Sequence, residues 1–464
     1  MRTIFFLLLV GGVALVGCRK AFLAQKPSTN LLVPNSLTVI QQLLDNQNVM
    51  NLTPALGEVS GDNIWFSDLE QTKLSAKEFN AYIWASDIYE GQGLVSDWDN
   101  PYSEVFYANT VLQGLAAITP DSTDQTEWNT LKGWALFCRG YAFFNIAELF
   151  AKPYDSATAA SDPGIPIRLS PDINVKTTRS TMQASYTQIL NDLNAAEILL
   201  PAAIPANNLN RPSRLAVQAL LARIYLSVRD YKDAKLYADS VLKGHPDLLD
   251  FNSVAQDTLS TVLVPFHNTT MPEVIYQSNM PPASTATTVL EALVCTGCFV
   301  DTSLMASYAS NDLRRAIFYR SVGVDTFSLK GTYAGSVFLF SGLATDELYL
   351  IRAECGAREG DTAAARSDLN KLLMDRYRTG TFAGYSFGSA AEALDSILVE
   401  RRKELAFRGI RWSDLRRFNQ EGRAVMLYRT VNGHTYSLPP GSDLYTLPIP
   451  PDVLNLSGIQ QNPR

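Results

Sequence analysis

The stretch from Leu215 to Leu248 constrains the fold more than any other part of this chain. It reads LAVQALLARIYLSVRDYKDAKLYADSVLKGHPDL. Apolar residues recur at helical spacing on both sides of a short turn at Arg229-Asp230, which predicts two helices folded back on one another. Small residues at Ala222, Ala234 and Ala238 let those helices approach closely, while Leu221 and Tyr225 fill the space toward a neighbouring pair. Pro246 follows the second helix. A hairpin of this kind cannot bury its apolar face alone, so stacked partners are expected.

A second segment of the same design begins at Glu347. Ala353 takes the small crossing position, Gly360-Asp361 the turn and Ala365 the small position of the second helix. Both segments match a tetratricopeptide repeat, about 34 residues long; a generic helical hairpin is the plainer alternative. Further helices are predicted over Ser103 to Ile118, Asp124 to Leu149, Ser180 to Leu200 and Ala391 to Arg408. Phe251 to Phe340 differs in character. It is rich in Thr, Ser, Pro and Gly, with short β-prone pieces at Glu273–Tyr276 and Ser336–Phe340, and reads as an irregular insertion. From Val431 onward the chain reads as Pro-rich and extended.

Composition narrows the class. The chain has 464 residues, 46% hydrophobic and 18% charged, which excludes intrinsic disorder. Its net charge of -7 offers no basic surface for nucleic acid. The three histidines (His245, His267 and His434) are far apart, so a His-rich metal site is not expected. The 20 Tyr, 21 Phe and 6 Trp serve mostly as core, with a surplus that can build flat binding surfaces.

The N-terminus fixes the compartment. Met1-Arg2-Thr3 precedes an apolar run from Ile4 to Gly17, too short for a comfortable transmembrane helix. Leu15-Val16-Gly17-Cys18 has the form of a bacterial lipobox, so residues 1–17 read as a signal peptide and Cys18 as the lipidated residue. Acyl chains at that position hold a chain to a bilayer. Residues 18–36 read as a tether and 37–464 as one body, with helical pairs over about 103–250 and 345–410 and the insertion over about 251–340. Cys295-Thr296-Gly297-Cys298 lacks the second pair that zinc would need and the helix start of a redox motif, so a local disulfide is expected. Cys138 and Cys355 lie in apolar helical runs as buried thiols.

Taken in order, several segments resemble the SusD/RagB family of outer-membrane nutrient-binding lipoproteins of Bacteroidetes. Lys20-Ala21-Phe22-Leu23 and Pro27 follow Cys18, and Trp98, Tyr102, Val105 and Ala108-Asn109 match the family's Trp…Tyr…Ala-Asn helix. Arg139 to Phe150 leads to Gly164-Ile165-Pro166, and Arg211-Pro212-Ser213-Arg214 to Leu220-Leu221-Ala222-Arg223-Ile224-Tyr225-Leu226. Glu347 to Glu354 and Glu400 to Phe407 are further hallmarks, followed by Gly409, Arg411-Trp412, Asp414 to Arg417, Pro448-Ile449-Pro450 and Gln461-Asn462-Pro463. Two departures stand out. Arg408 takes a position usually held by Glu, which should alter a local ion-pair network, and Arg19-Lys20 replace the acidic residues often found after the lipidated Cys.

The resemblance implies a mainly α-helical, tetratricopeptide-like scaffold with a loop-rich, ligand-binding insertion and no catalytic role. It implies attachment to the outer membrane through Cys18, facing outward, and delivery of oligosaccharide to a SusC-like TonB-dependent β-barrel. Peptide or another nutrient is an alternative cargo, and a repeat scaffold without small ligand an alternative class. The residues agree on catalysis. Glu400 and Glu404 share a helix face, yet Arg401, Arg402, Lys403, Arg408 and Arg411 surround them, so an ion-pair network is expected in place of a general acid. No nucleotide, zinc-protease or serine-hydrolase motif occurs. Asp121 to Glu127 lacks the Gly of an EF-hand loop, and neither metal nor cofactor is expected.

A glycan site needs aromatic faces plus amide, carboxylate or guanidinium groups. Gly61 to Gly93 and the insertion both offer this mix. The candidate ligand contacts are Trp65, Tyr82, Trp84, Asp62, Asn63 and Arg314. Core packing is the competing role for Trp65 and Trp84, and Trp98 and Trp412 are expected to be structural.

Overall fold

Helices joined by short turns, each packed on the next, make the body of the molecule. The computed structural model describes residues 34–267, 269–280 and 298–464. The expected signal peptide over 1–17, Cys18 and Cys295 lie outside the described residues.

In chain order the main helices are α1 (Leu37–Leu44), α2 (Ser96–Ala116), α3 (Gln125–Phe150), α4 (Met182–Leu199), α5 (Arg214–Ser227), α6 (Tyr231–Gly244), α7 (Thr345–Arg358), α8 (Thr362–Met374), α9 (Ala390–Glu404) and α10 (Arg411–Gln420). Helices α2 to α6 pack in succession, α7 packs on α8, and α6 packs on α7. That last contact makes the two hairpins read from the sequence neighbours in one tetratricopeptide-like array, although residues 245–344 separate them in the chain. Helix α3 is buried almost all round from Leu131 to Phe150, as a central helix must be. Among the described residues, no helix is long and apolar enough to cross a membrane.

The two hairpins close with the same geometry. Arg229 and Gly360 both take left-handed backbone, at φ 66° and 85°. Asp230 and Asp361 follow with nearly identical dihedrals (φ -84°, ψ 79° and φ -83°, ψ 76°), and each side chain caps its helix by accepting from the backbone N–H three residues on.

Helix α2 starts at Ser96, earlier than the expected Ser103, and carries Pro101 inside it. The lost N–H costs one intrahelical bond, while burial of Trp98, Pro101 and Val105 on the core side compensates.

Strands occur only as two-stranded antiparallel ribbons among the described residues. They are β1 (Ile64–Phe66) with β6 (Cys298–Val300), β2 (Pro163–Pro166) with β3 (Arg179–Thr181), and β4 (Val274–Tyr276) with β10 (Leu343–Ala344). The others are β5 (Asn279–Met280) with β9 (Leu339–Phe340), β7 (Tyr319–Gly323) with β8 (Thr326–Leu329), and β11 (Leu427–Val431) with β12 (His434–Leu438). The last ribbon corrects the reading of the C-terminal stretch as merely extended. Asn432-Gly433, at φ 48° and 76°, makes the primed turn that Asn-Gly favours. The insertion also holds short helices at Thr302–Ser307 and Arg314–Phe318 that the Thr- and Ser-rich composition masks.

A buried ion-pair network fastens the insertion to the repeats. Arg376, after α8, donates to Glu404 of α9 at 2.7 Å, to Glu273 at 2.8 Å and to the Leu249 carbonyl at 2.9 Å. Arg223 of α5 pairs with Glu347 of α7 at 2.6 Å, and Arg417 of α10 holds Glu354 and Asp414. Burial alone would raise the Glu354 carboxyl, but Arg417 brings it down to about 2. Arg408, the departure noted above, pairs with Asp346 at 2.7 Å and lies over the rings of Tyr333 and Phe340. Cys138, Cys298 and Cys355 are buried, and Cys295, the expected disulfide partner of Cys298, lies outside the described residues, so that pairing stays an expectation.

Candidate functional site

Strand β1 alternates: Ile64 and Phe66 point into the core and Trp65 points out. Its partner β6 does the same, with Cys298 and Val300 buried and Phe299 half-buried. The register sets Trp65 opposite Phe299, so the two outward rings meet with centroids 4.8 Å apart, tilted by 40°. Trp65 Nε1 donates to the Val300 carbonyl at 3.1 Å, which fixes the half-buried indole against the ribbon.

A polar cluster adjoins this pair where the Asp301 N–H donates to the Asn63 carbonyl at 2.8 Å. Arg402 of α9 reaches in and donates to the Asn63 side-chain oxygen (3.2 Å), the Asp62 carbonyl (2.7 Å), the Asp301 carboxylate (3.1 Å) and the Ser303 hydroxyl (3.1 Å). Arg411 of α10 grips Asp62 through two bonds, at 2.6 and 2.7 Å. Burial pushes the Asp62 carboxyl up, but Arg411 and then Arg402 outweigh it and hold the group well below the usual carboxylate range. Asp62 is therefore a fixed anion and an acceptor, unsuited to donate a proton. Among the described residues, no group of three or more His, Cys, Asp or Glu is placed to hold a metal ion.

The six residues singled out in the sequence divide. Trp65, Asp62 and Asn63 come together here, although Asn63 is buried and contributes through its contact with Arg402. Tyr82 and Trp84 are buried beneath the ribbon. The Tyr82 hydroxyl accepts from the Phe66 N–H at 3.3 Å, and Trp84 Nε1 donates to the Ser60 carbonyl at 2.9 Å. Arg429 of β11 lies 3.8 Å from the Tyr82 ring centroid and donates to the Ile64 carbonyl at 2.6 Å. These two aromatics support β1 from below; enclosed on their faces, they offer no stacking surface. Arg314 is fully buried and spends its guanidinium on Asp312, Glu400 and Glu404 at 2.7 to 2.9 Å, so it belongs to the ion-pair network. Glu400 and Glu404 lie in that network as expected.

Phe299, Asp301, Ser303 and Arg402 were missed. A strand reading puts Phe299 on the face opposite Cys298 and Val300, but with all three apolar the sequence does not say which face is outward. Nothing in the sequence separates Arg402 from its neighbours Arg401 and Lys403, which point into the core.

A helical-repeat scaffold carrying an aromatic and ionic surface on its insertion side is the class these features define. The comparisons with known proteins place it further. Residues 22–226 match the family model described as starch-binding associating with outer membrane, and residues 345–464 match the SusD family model. The chain belongs to the SusD family. A SusD superfamily structure from Bacteroides thetaiotaomicron superposes with a TM-score of 0.71 at 23% identity, covering 92% of this chain and 98% of that one. One from Bacteroides fragilis gives 0.72 at 21% identity, covering 92% and 99%. A structure named a SusD-like carbohydrate binding protein, from Bacteroides vulgatus, gives 0.66 at 18% identity, covering 91% and 96%. These likenesses establish the fold. SusD-like protein P2 of Formosa agariphila is 27% identical over 171 residues, 36% of this chain, and the match spans only 30% of that relative's length.

Proposed function

We propose that the protein captures oligosaccharide outside the outer membrane and passes it to a SusC-like TonB-dependent β-barrel, without catalysing a reaction itself. The outward Trp65–Phe299 pair beside the Asp62–Arg402–Asp301 cluster carries this reading. Sugar rings stack on aromatic faces through their C–H surfaces, and their hydroxyls pair with carboxylate and guanidinium groups. Family membership and the carbohydrate-binding name of the Bacteroides vulgatus neighbour support the ligand class. In this reading Cys18 carries the lipid that holds the protein to the membrane, and the helical repeats face the barrel.

The test is binding of the soluble chain, begun after Cys18, to arrays of polysaccharides and peptides, followed by calorimetry on each hit. Trp65→Ala is expected to weaken glycan binding at least tenfold, since an aromatic contact of about 1.5 kcal/mol corresponds to that factor. Phe299→Ala should weaken it less. Glycan binding indifferent to both changes moves the site elsewhere, and peptide binding alone replaces the ligand class.

A further inference from the structure

Behind the ribbon, a narrow cavity of about 60 Å³ lies among the 56–60 helix, α3, α5, α9 and the start of α10. Its wall is rich in hydrogen-bond donors with nothing to donate to. Arg401 Nη1, Arg408 Nε and Nη2, and Asn145 Nδ2 are buried there without a partner. Both arginine side chains are about nine-tenths buried or more, at 2% exposure each. Of the side-chain atoms buried on this wall without a partner, one is an acceptor, Glu58 Oε2.

The other carboxylates on the wall are already occupied. Asp414 accepts from Arg401 Nε at 2.8 Å and Arg417 Nη2 at 3.2 Å. Glu148 accepts from the hydroxyls of Tyr186 and Ser413. Glu58 Oε1 takes the Gly409 N–H at 3.0 Å. The donors left over are guanidinium and amide N–H groups, and each one stranded in the interior keeps the cost of its lost hydration.

Water is a poor answer to this wall. A water accepts two hydrogen bonds and must place two protons of its own, and the buried side chains left without a partner offer it three donor-bearing groups and one acceptor. An anion accepts from all sides and donates nothing. We propose that this cavity is a binding site for a single small monovalent anion, halide-sized or a compact oxyanion such as formate, held by Arg401, Arg408 and Asn145. The volume excludes a sugar. Arg408 is central because it brings three of the N–H groups and stands where the family usually has a carboxylate, which would repel an anion.

Bromide diffraction at the bromine absorption edge tests the site in the unaltered soluble chain. The expected result is an anomalous peak within hydrogen-bonding reach of Arg408 and Arg401. In solution, thermal unfolding in sodium bromide should rise saturably above unfolding in sodium gluconate of equal ionic strength. Asn145→Leu keeps both arginines and should weaken that halide dependence at least tenfold; Arg408→Gln should abolish it. If Arg408→Gln does not fold, the Asn145 variant and the diffraction arm still decide. A cavity filled by water alone, or identical unfolding in bromide and gluconate, overturns the proposal.

Discussion

Two buried glutamates of this molecule lie far apart in titration, and what separates this pair is whether an arginine faces them. Glu354 faces Arg417 and Arg358 and sits near 2. Glu104 of α2 is equally buried, its Oε1 has no partner, and burial raises it to about 8. A raised carboxyl pKa means the folded state keeps a proton that the unfolded chain releases. Between the unfolded value near 4.5 and the folded value near 8, stability therefore falls as pH rises. Wild type should lose on the order of 3–5 kcal/mol across that window from Glu104 alone. Glu104→Gln keeps the shape and removes the ionisation, so urea unfolding at pH 5 and pH 8 should show a distinctly smaller difference than wild type. An unchanged difference would place the ionised Glu104 in contact with a compensating group. The same scale separates Trp65 from Trp84, which the sequence leaves indistinguishable. Both follow an isoleucine in one aromatic-rich stretch, and only the strand register and the left-handed backbone at Trp84 (φ 57°) send one outward and the other beneath. Trp84→Ala should therefore cost about 3–5 kcal/mol of stability, a cavity effect, whereas Trp65→Ala should act on binding with little loss of stability.

At the scale of elements, helices were legible wherever apolar spacing and a stop signal coincided, as in α5, α6, α7 and α8. The turns between them were legible too, because Arg229-Asp230 and Gly360-Asp361 sit at matching positions and adopt one geometry. Arg229 pays the steric cost of left-handed backbone that Gly360 avoids. Arg229→Gly should stabilise the chain by about 0.5–1 kcal/mol, less whatever its hydrogen bond to Gln420 contributes. Thermal unfolding would report it, and a fall in stability would show that the Gln420 contact outweighs backbone strain. Strands were far less legible. Each ribbon is only two to five residues per strand, too short for alternation to declare itself. Their pairing depends on close approach that the sequence does not announce. Between β9 and β10, a side-chain carbon at Gly342 would collide with the Tyr276 carbonyl. Gly342 also presents its carbonyl to Arg223 at 2.6 Å.

Across the whole molecule, the order of motifs revealed the family, but the site was half legible because its parts come from distant segments. Trp65 and Asp62 lie near the N-terminal end, Phe299 and Asp301 in the insertion, and Arg402 and Arg411 near the C-terminal end, and the ion pairs bring them to one place. The same logic governs cooperativity. Arg376 ties Leu249, Glu273 and Tyr333 of the insertion to Glu404 of α9 with every partner buried, so the insertion has no independent core boundary along that seam. Hydrogen exchange in wild type should give β4 and β9 protection comparable to α7, the signature of one cooperative unit. Arg376→Met strands Glu273 and removes one of the two arginines that hold Glu404, which should cost about 3–5 kcal/mol. The loss should be uneven: β4 and β9 amides should exchange faster than those of α5 and α6, because the stranded Glu273 lies at the seam and the hairpins keep their own Ala-mediated packing. A uniform loss of protection across all elements would instead mean that insertion and repeats remain one unit without the arginine, held together by apolar contacts such as Phe137 of α3 with Tyr276 of β4.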